Sequence, residues 1–168
     1  HGVLRSYPAD NPYHNGYHAV DTLYMFVRLL DAIDGTQLLS RLDIFAGLVA
    51  ALGHDMNHPG VTNAFLATTR DALAITYNDA AVLENMHCAS LYQLLARSEG
   101  SAEGSILSGL SKEQWSAMRK TVVHAILATD MAQHFKMVAD LEGFYEENAA
   151  QLAPDVLYKT KATAGSAA

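Results

Sequence analysis

The sequence predicts an all-α fold, and three observations predict it. Apolar residues recur at three- and four-residue spacing in one segment after another. Asx or Ser residues stand just before several of these runs, as helix starts require. Alternating apolar and polar residues, the mark of a half-buried strand, make no convincing run, and no internal repeat is found. With 168 residues, half of them hydrophobic, the chain is long enough to bury a core of its own.

The elements follow in order. Residues 1–12 are polar, carry two prolines and read as loop. Asp10-Asn11-Pro12 marks a helix start, with Pro in the first turn. That helix is expected from Tyr13 to Ile33, with Val20, Leu23, Tyr24, Val27 and Leu30 as its buried stripe. Asp34-Gly35-Thr36 ends it. The next helix runs from Arg41 to Asp55. Its interior, Ile44 to Leu52, is apolar nearly all round, so it belongs at the centre of the fold. Val61–Thr68 and Asp71–Tyr77 read as short helices. Asn78-Asp79 is expected to cap a longer one, Ala80 to Arg97, with Val82, Leu83, Leu91, Leu94 and Leu95 inward. Ser98 to Gly109 is small, polar and Gly-rich, and reads as a mobile loop. Ser111 and Gln114 form a capping-box pattern that opens the next helix, with Trp115, Met118, Val122 and Ile126 inward. Thr129-Asp130-Met131 breaks it. Asp130 with Gln133 is a second capping-box-like pair, and Val138, Leu141, Phe144 and Tyr145 form the last stripe. Residues 151–168 lose the pattern and end in low-complexity sequence, expected to be a disordered tail.

Composition removes several functions. The net charge is −7 and there is no run of Lys or Arg, which argues against a nucleic-acid polymer or an anionic membrane as partner. A small phosphate ester stays open, because bound dications would reverse the local field. The longest apolar run, Ile44 to Gly53, is too short to span a bilayer. Cys88 is the only cysteine, so no intrachain disulfide can form, and an intracellular, cytoplasmic location is expected. The chain opens on His rather than Met, and is expected to be processed or a piece of a longer one.

Two short stretches carry the chemistry. His14 and His18 are four apart, so a helix would place both rings on one face, with Asp21 one turn further on to orient His18. His54 and Asp55 are adjacent at the expected end of an apolar helix, where both can turn toward one ion, and His58 follows before Pro59-Gly60. An imidazole beside a carboxylate suits zinc, and the carboxylate can also hold magnesium or manganese. Glu84 and His87 share a face of a later helix.

Four motifs then match a known pattern: YHNGYHAVD at 13–21, AALGHDMNHPGVTNAFL at 50–66, LAITYNDAAVLEN at 73–85 and ILATDMAQH at 126–134. In order and spacing the chain resembles the catalytic domain of class I cyclic nucleotide phosphodiesterases, over roughly Leu4 to Tyr145. The resemblance implies a multi-helix metal-dependent phosphohydrolase fold, C-terminally truncated, with residues 1–150 as a partial catalytic domain. It implies hydrolysis of cAMP or cGMP to the 5′-monophosphate by a hydroxide activated on two metals, Zn2+ and a second ion, Mg2+ or Mn2+. His14 matches the general acid. His18, His54 and Asp55 match zinc ligands, with Asp55 bridging to the second metal. His58, Glu84 and Thr129 match the groups around the second metal's waters. Tyr13, Asn63, Asp130 and Met131 match the substrate pocket. By burial and helical face, Glu84 is also one candidate for a carboxylate that supports a protonated His14.

Departures from the family stand beside this. Asn57 replaces a frequent acid and Met86 a frequent His. The family's fourth zinc ligand, an Asp in a Cys-Ala-Asp motif, has no counterpart here and by spacing would fall beyond Ala168. So would the glutamine and phenylalanine that hold the purine. Asp140 and Asp155 are the late Asp residues, and neither carries the motif. Two further readings follow: a truncated, non-catalytic metal- or nucleotide-binding relative, and another His-Asp metal phosphohydrolase. Exposed apolar faces left by truncation would favour a homodimer or other self-association.

Overall fold

The structure is a computed structural model that describes residues 2–98 and 105–149. Every regular element among them is helical: α1 Gly2–Arg5, α2 Gly16–Ala32, α3 Gly35–Leu38, α4 Arg41–Gly53, α5 Asn63–Thr68, α6 Ala72–Tyr77, α7 Val82–Ser98, α8 Lys112–Leu127, a 3-10 turn Met131–Gln133 and α9 His134–Glu147. The all-α expectation holds. The expected disordered tail, Asp155 and the first part of the Gly-rich loop lie outside the described residues. The chain divides into two units, residues 1–130 and 131–168, and the candidate site lies in the first.

Caps decide where the helices start. Ser40 Oγ accepts from the Asp43 amide while Asp43 reaches back to the Ser40 amide, and Ser111 with Gln114 does the same for α8. α2 starts later than expected. Its cap is Asn15, whose Oδ1 accepts from the amides of Tyr17 and His18. His14 is therefore outside the helix, and a shared helical face is not what brings it to His18. Asn78, expected to cap α7, instead ends α6 in the left-handed conformation at φ 55°. Gln133 stands at the start of α9 without a side-chain capping bond of its own. α1 and α3 are short helices in stretches read as loop or helix end.

α4 is central, as its apolar composition requires: α2 and α8 pack against it, with α1 and α7 also in contact. Ala46 and Ala50 on α4 and Met118, Val122 and Ile126 on α8 are buried in one cluster with Tyr7, Ala19, Met56 and Leu91. A smaller cluster joins Leu66, Ala74, Val82, Leu83 and Met86 under α5–α7. Leu107, inside the stretch read as mobile loop, is seated in the main core.

The α2 stripe is a correction. Ala19 is its only buried residue, while Val20, Tyr24 and Val27 are exposed. Leu23 and Leu30 of the expected stripe are half-buried, with Leu30 packed on Gly35 of α3, and against α4 the contact is the Phe26 ring on Gly47. Trp115 is half-exposed, its ring edge-on to Tyr92, with the Arg119 guanidinium 4.1 Å from the Tyr92 ring. None of the α9 residues is buried, so Val138, Leu141, Phe144 and Tyr145 are an exposed stripe here.

Gly47 shows how tight the α2–α4 contact is. A methyl group added there would overlap the Phe26 ring, which has no flexible end to move aside. Gly47→Ala is expected to destabilise the protein by about 1–3 kcal/mol in urea denaturation, against the small gain an alanine normally brings to a helix.

Candidate metal centre

α4 delivers the first ligands. His54 follows its last residue, Gly53, and Asp55 comes next, where the chain leaves the helix and both side chains can face the same point. Asn57 then takes φ 60°, a left-handed conformation that asparagine tolerates better than most residues, and the turn brings His58 back beside Asp55. α2 brings His18 from the opposite side.

Three donor atoms converge. His18 Nε2 lies 3.1 Å from Asp55 Oδ2, His54 Nε2 lies 3.0 Å from the same oxygen, and the two nitrogens are 3.1 Å apart. Donors about 2.0–2.2 Å from one zinc ion stand roughly 3–3.5 Å from each other, so this triangle fits one ion. A second set shares the same carboxylate: Asp55, His58 and His87, with His87 Nε2 3.6 Å from Oδ1.

Backbone bonds set the ring protons. His54 Nδ1 is 2.9 Å from the Ala51 carbonyl and His87 Nδ1 is 2.7 Å from the Met56 carbonyl. A carbonyl only accepts, so in the neutral form both rings carry the proton on Nδ1 and turn a bare Nε2 to the centre. His58 is the reverse. The Gly60 amide donates to its Nδ1 at 2.9 Å, so in the neutral ring Nε2 holds the proton. Two histidines thus present lone pairs and one presents a donor.

The charges follow the packing. Burial pulls the Asp55 carboxyl up, but the His54 hydrogen bond and the charges of His54, His87 and His14 outweigh it and bring it to about 2. Burial lowers His18 and His58, and pushes His87 down to about 4. Burial also opposes protonation of His54, but Asp55 prevails and raises it. For the metal-free protein the sign is clear. Between about 6.5 and 4 the unfolded chain holds a proton on His87 that the folded one does not, so stability falls as pH drops through that window. His18 and His58 act in the same direction and His54 against it. Urea melts with chelator present should show about 2 kcal/mol less stability at pH 5 than at pH 7 from His87 alone. A flat profile would contradict this.

The remaining expected residues are placed as follows. The His14 ring stacks on His58 at 3.8 Å, and its Nε2 is 3.9 Å from Asp55 Oδ2. Asp55, not Glu84, is thus the carboxylate whose distance to His14 is short. Glu84 accepts from Asn63 Nδ2 at 2.9 Å, while Asn63 Oδ1 takes the Leu83 amide; burial raises Glu84, with the charges of Asp130 and Asp55 adding to it. Tyr13 is exposed and packs on the rings of His14 and His18. Thr129 hydrogen-bonds the Ile126 carbonyl at the end of α8. Asp21 is exposed and makes no hydrogen bond to the His18 ring. Met131 is exposed in the second unit, where Asp140 pairs with Lys136. Sequence reading missed His87 as a site residue. Its signal was the Glu84-x-x-His87 spacing, which puts two possible ligands on one helical face.

Residues 13–165 match the profile described as 3'5'-cyclic nucleotide phosphodiesterase. The chain belongs to that family. Among cyclic nucleotide phosphodiesterases it is 41% identical over 130 residues to 3',5'-cyclic-nucleotide phosphodiesterase regA of Dictyostelium discoideum, a match covering 77% of this chain and 16% of that protein. The mouse high affinity cAMP-specific and IBMX-insensitive 3',5'-cyclic phosphodiesterase 8A is 37% identical, over 81% of the chain and 16% of the relative. The mouse dual specificity calcium/calmodulin-dependent 3',5'-cyclic nucleotide phosphodiesterase 1C is 38% identical, over 90% and 20%. The crystal structure of the phosphodiesterase domain of the RhoPDE fusion protein from Salpingoeca rosetta superposes with a TM-score of 0.78 at 33% identity, covering 84% of this chain and 43% of that one. The chain therefore spans a fifth or less of these three curated phosphodiesterases and under half of that solved domain.

Proposed function

We propose that this chain carries the metal-binding and proton-donating side of a site that hydrolyses 3',5'-cyclic nucleotides, cAMP or cGMP, to 5'-monophosphates. The observation behind this is the convergence of His18 Nε2, His54 Nε2 and Asp55 Oδ2 within 3.1 Å of one another, with His14 beside them. Family membership supports the substrate class. Two of the relatives are named cAMP-specific and dual specificity.

His18, His54 and Asp55 are assigned to a zinc ion. Two imidazoles and a carboxylate form a catalytic type of zinc set, with room for a water or a substrate oxygen. Asp55 Oδ1 and the bare Nε2 of His87 are assigned to a second cation, Mg2+ or Mn2+, with His58, Glu84 and Thr129 in its surroundings. When bound, such a pair supplies Lewis acidity toward the phosphoryl oxygens and lowers the pKa of water. The protein's own groups do the rest. His58, with its proton on Nε2, donates to an oxygen at the centre. His14, stacked on His58, gives a proton to the departing 3′ oxygen. Tyr13, Asn63, Asp130 and Met131 are assigned to the nucleotide pocket, as their motifs imply.

No helix among the described residues is long and apolar enough to cross a membrane. Cys88 is a buried free thiol, which supports a reducing, cytoplasmic location. The exposed apolar side chains of α2, Tyr17, Val20 and Tyr24, support association between copies.

The test is turnover of cAMP and of cGMP by this polypeptide with and without chelator. Hydrolysis that stops on chelation is the expected result. Zinc binding with no turnover of either nucleotide would overturn the enzymatic reading in favour of a binding module.

A further inference from the structure

The segment from Ser6 to Asn15, read in the sequence as loop up to Pro12 and as the start of a helix beyond it, is bonded to both ligand-bearing motifs. Tyr7 is buried in the main core. Its hydroxyl donates to the Leu52 carbonyl at 3.0 Å and accepts from the Asp55 amide at 3.2 Å. These two backbone groups flank the Gly53-His54 stretch, where α4 ends and its own bonding pattern runs out. One residue earlier, the Ser6 carbonyl takes the amide of Asn57, the residue in the left-handed conformation. Further along, Asn11 Nδ2 donates to the His58 carbonyl at 3.2 Å, and the Asn11 carbonyl accepts from Asn15 Nδ2 at 3.0 Å. Asn15 is the cap that starts α2 and bonds the His18 amide. The segment thus passes from one histidine motif to the other and is hydrogen-bonded at both ends.

We propose that residues 6–15 are a strap that sets the spacing of the metal ligands, and that Tyr7 is its positioning residue: the phenol bridges Leu52 and Asp55 and so fixes the turn that aims His54 and Asp55 at one point. The inference rests on the metal-centre reading above. Asp55 has only a short side chain between backbone and carboxylate, so a shift of its amide moves the ligand oxygen with it. Without the hydroxyl, the Asp55 N–H and the Leu52 carbonyl lose their shared partner, and the turn is free to relax. The ring of Tyr7 fills core space whether or not the hydroxyl is present, so Tyr7→Phe separates the two roles.

The experiment is cobalt binding to the metal-free protein, read by visible absorption and by competition with a chelator, in wild type, Tyr7→Phe, Asn11→Ala and Met118→Ala. Met118 lies in the same core but on α8, outside the strap and outside the turn after α4. Thermal midpoints of the metal-free proteins are measured alongside. Tyr7→Phe is expected to weaken cobalt binding by about 10- to 100-fold, as loss of a ligand-orienting bond does, and to change the d–d absorption. Asn11→Ala, which cuts the strap outside the core, should weaken binding by a smaller factor. Met118→Ala should lower the midpoint by more and leave cobalt affinity and spectrum unchanged. Unchanged affinity and spectrum in both strap variants, or equal losses in Met118→Ala, would overturn the proposal. Failure of the wild-type protein to bind cobalt would overturn the metal centre itself, and the strap's role with it.

Discussion

Asp55→Asn is expected to empty both metal positions at once. One oxygen of this carboxylate stands 3.0–3.1 Å from His54 and His18 and the other faces His87, so no other side chain described serves both donor sets. Asparagine keeps the shape and removes the charge. A neutral amide is a poorer ligand for a dication than a carboxylate. Losing a group that merely orients a ligand costs about 10- to 100-fold in metal affinity, and losing the shared ligand itself should cost more than that. Metal content after dialysis against trace zinc checks this directly. Retention of stoichiometric zinc by Asp55→Asn would show that the carboxylate is only a hydrogen-bond partner for the histidines. The substitution also reverses part of the electrostatics. Without the Asp55 charge only the bond to the Ala51 carbonyl still favours the protonated His54 ring against burial, so its raised pKa should fall.

His14→Gln is the second large effect, and it is of another kind. His14 Nε2 is 3.9 Å from Asp55 Oδ2, further than His18 or His54, and His14 belongs to neither donor set. Its removal should leave zinc content unchanged and lower kcat on a cyclic nucleotide by about 10²–10⁴, the usual worth of a placed general acid. A phosphodiester with an acidic phenol as leaving group needs no such proton, and on that substrate His14→Gln should be nearly as fast as wild type. Equal losses on both substrates would assign His14 to binding or metal support instead.

Much of this was legible because the chemistry is concentrated in short stretches. His18, His54 and Asp55 were identifiable from residue type and spacing, and they do converge. Four-residue spacing suggested one helical face, but Asn15 caps α2 after His14, and stacking on His58 places its ring instead. His87 was underread because periodicity shows only that it shares a face with Glu84, and its approach to Asp55 depends on how α7 packs beside the end of α4. Tyr7 gave no signal at all. A tyrosine among prolines and polar residues looks like loop, and its burial is fixed by long-range contacts that no local pattern encodes. The α2 stripe failed at Val20, Tyr24 and Val27 for the opposite reason. Its period is clear, but a period says which residues share a face and not whether anything covers that face.

The zinc content of this polypeptide beside His18→Ala tests the central claim most directly. His18 is the one member of the triangle that comes from α2, so it reports whether the two motifs meet at one ion. The account predicts stoichiometric zinc in the wild type and loss of that zinc in His18→Ala, with helical content unchanged. Equal zinc in the two proteins, or none in either, would contradict it.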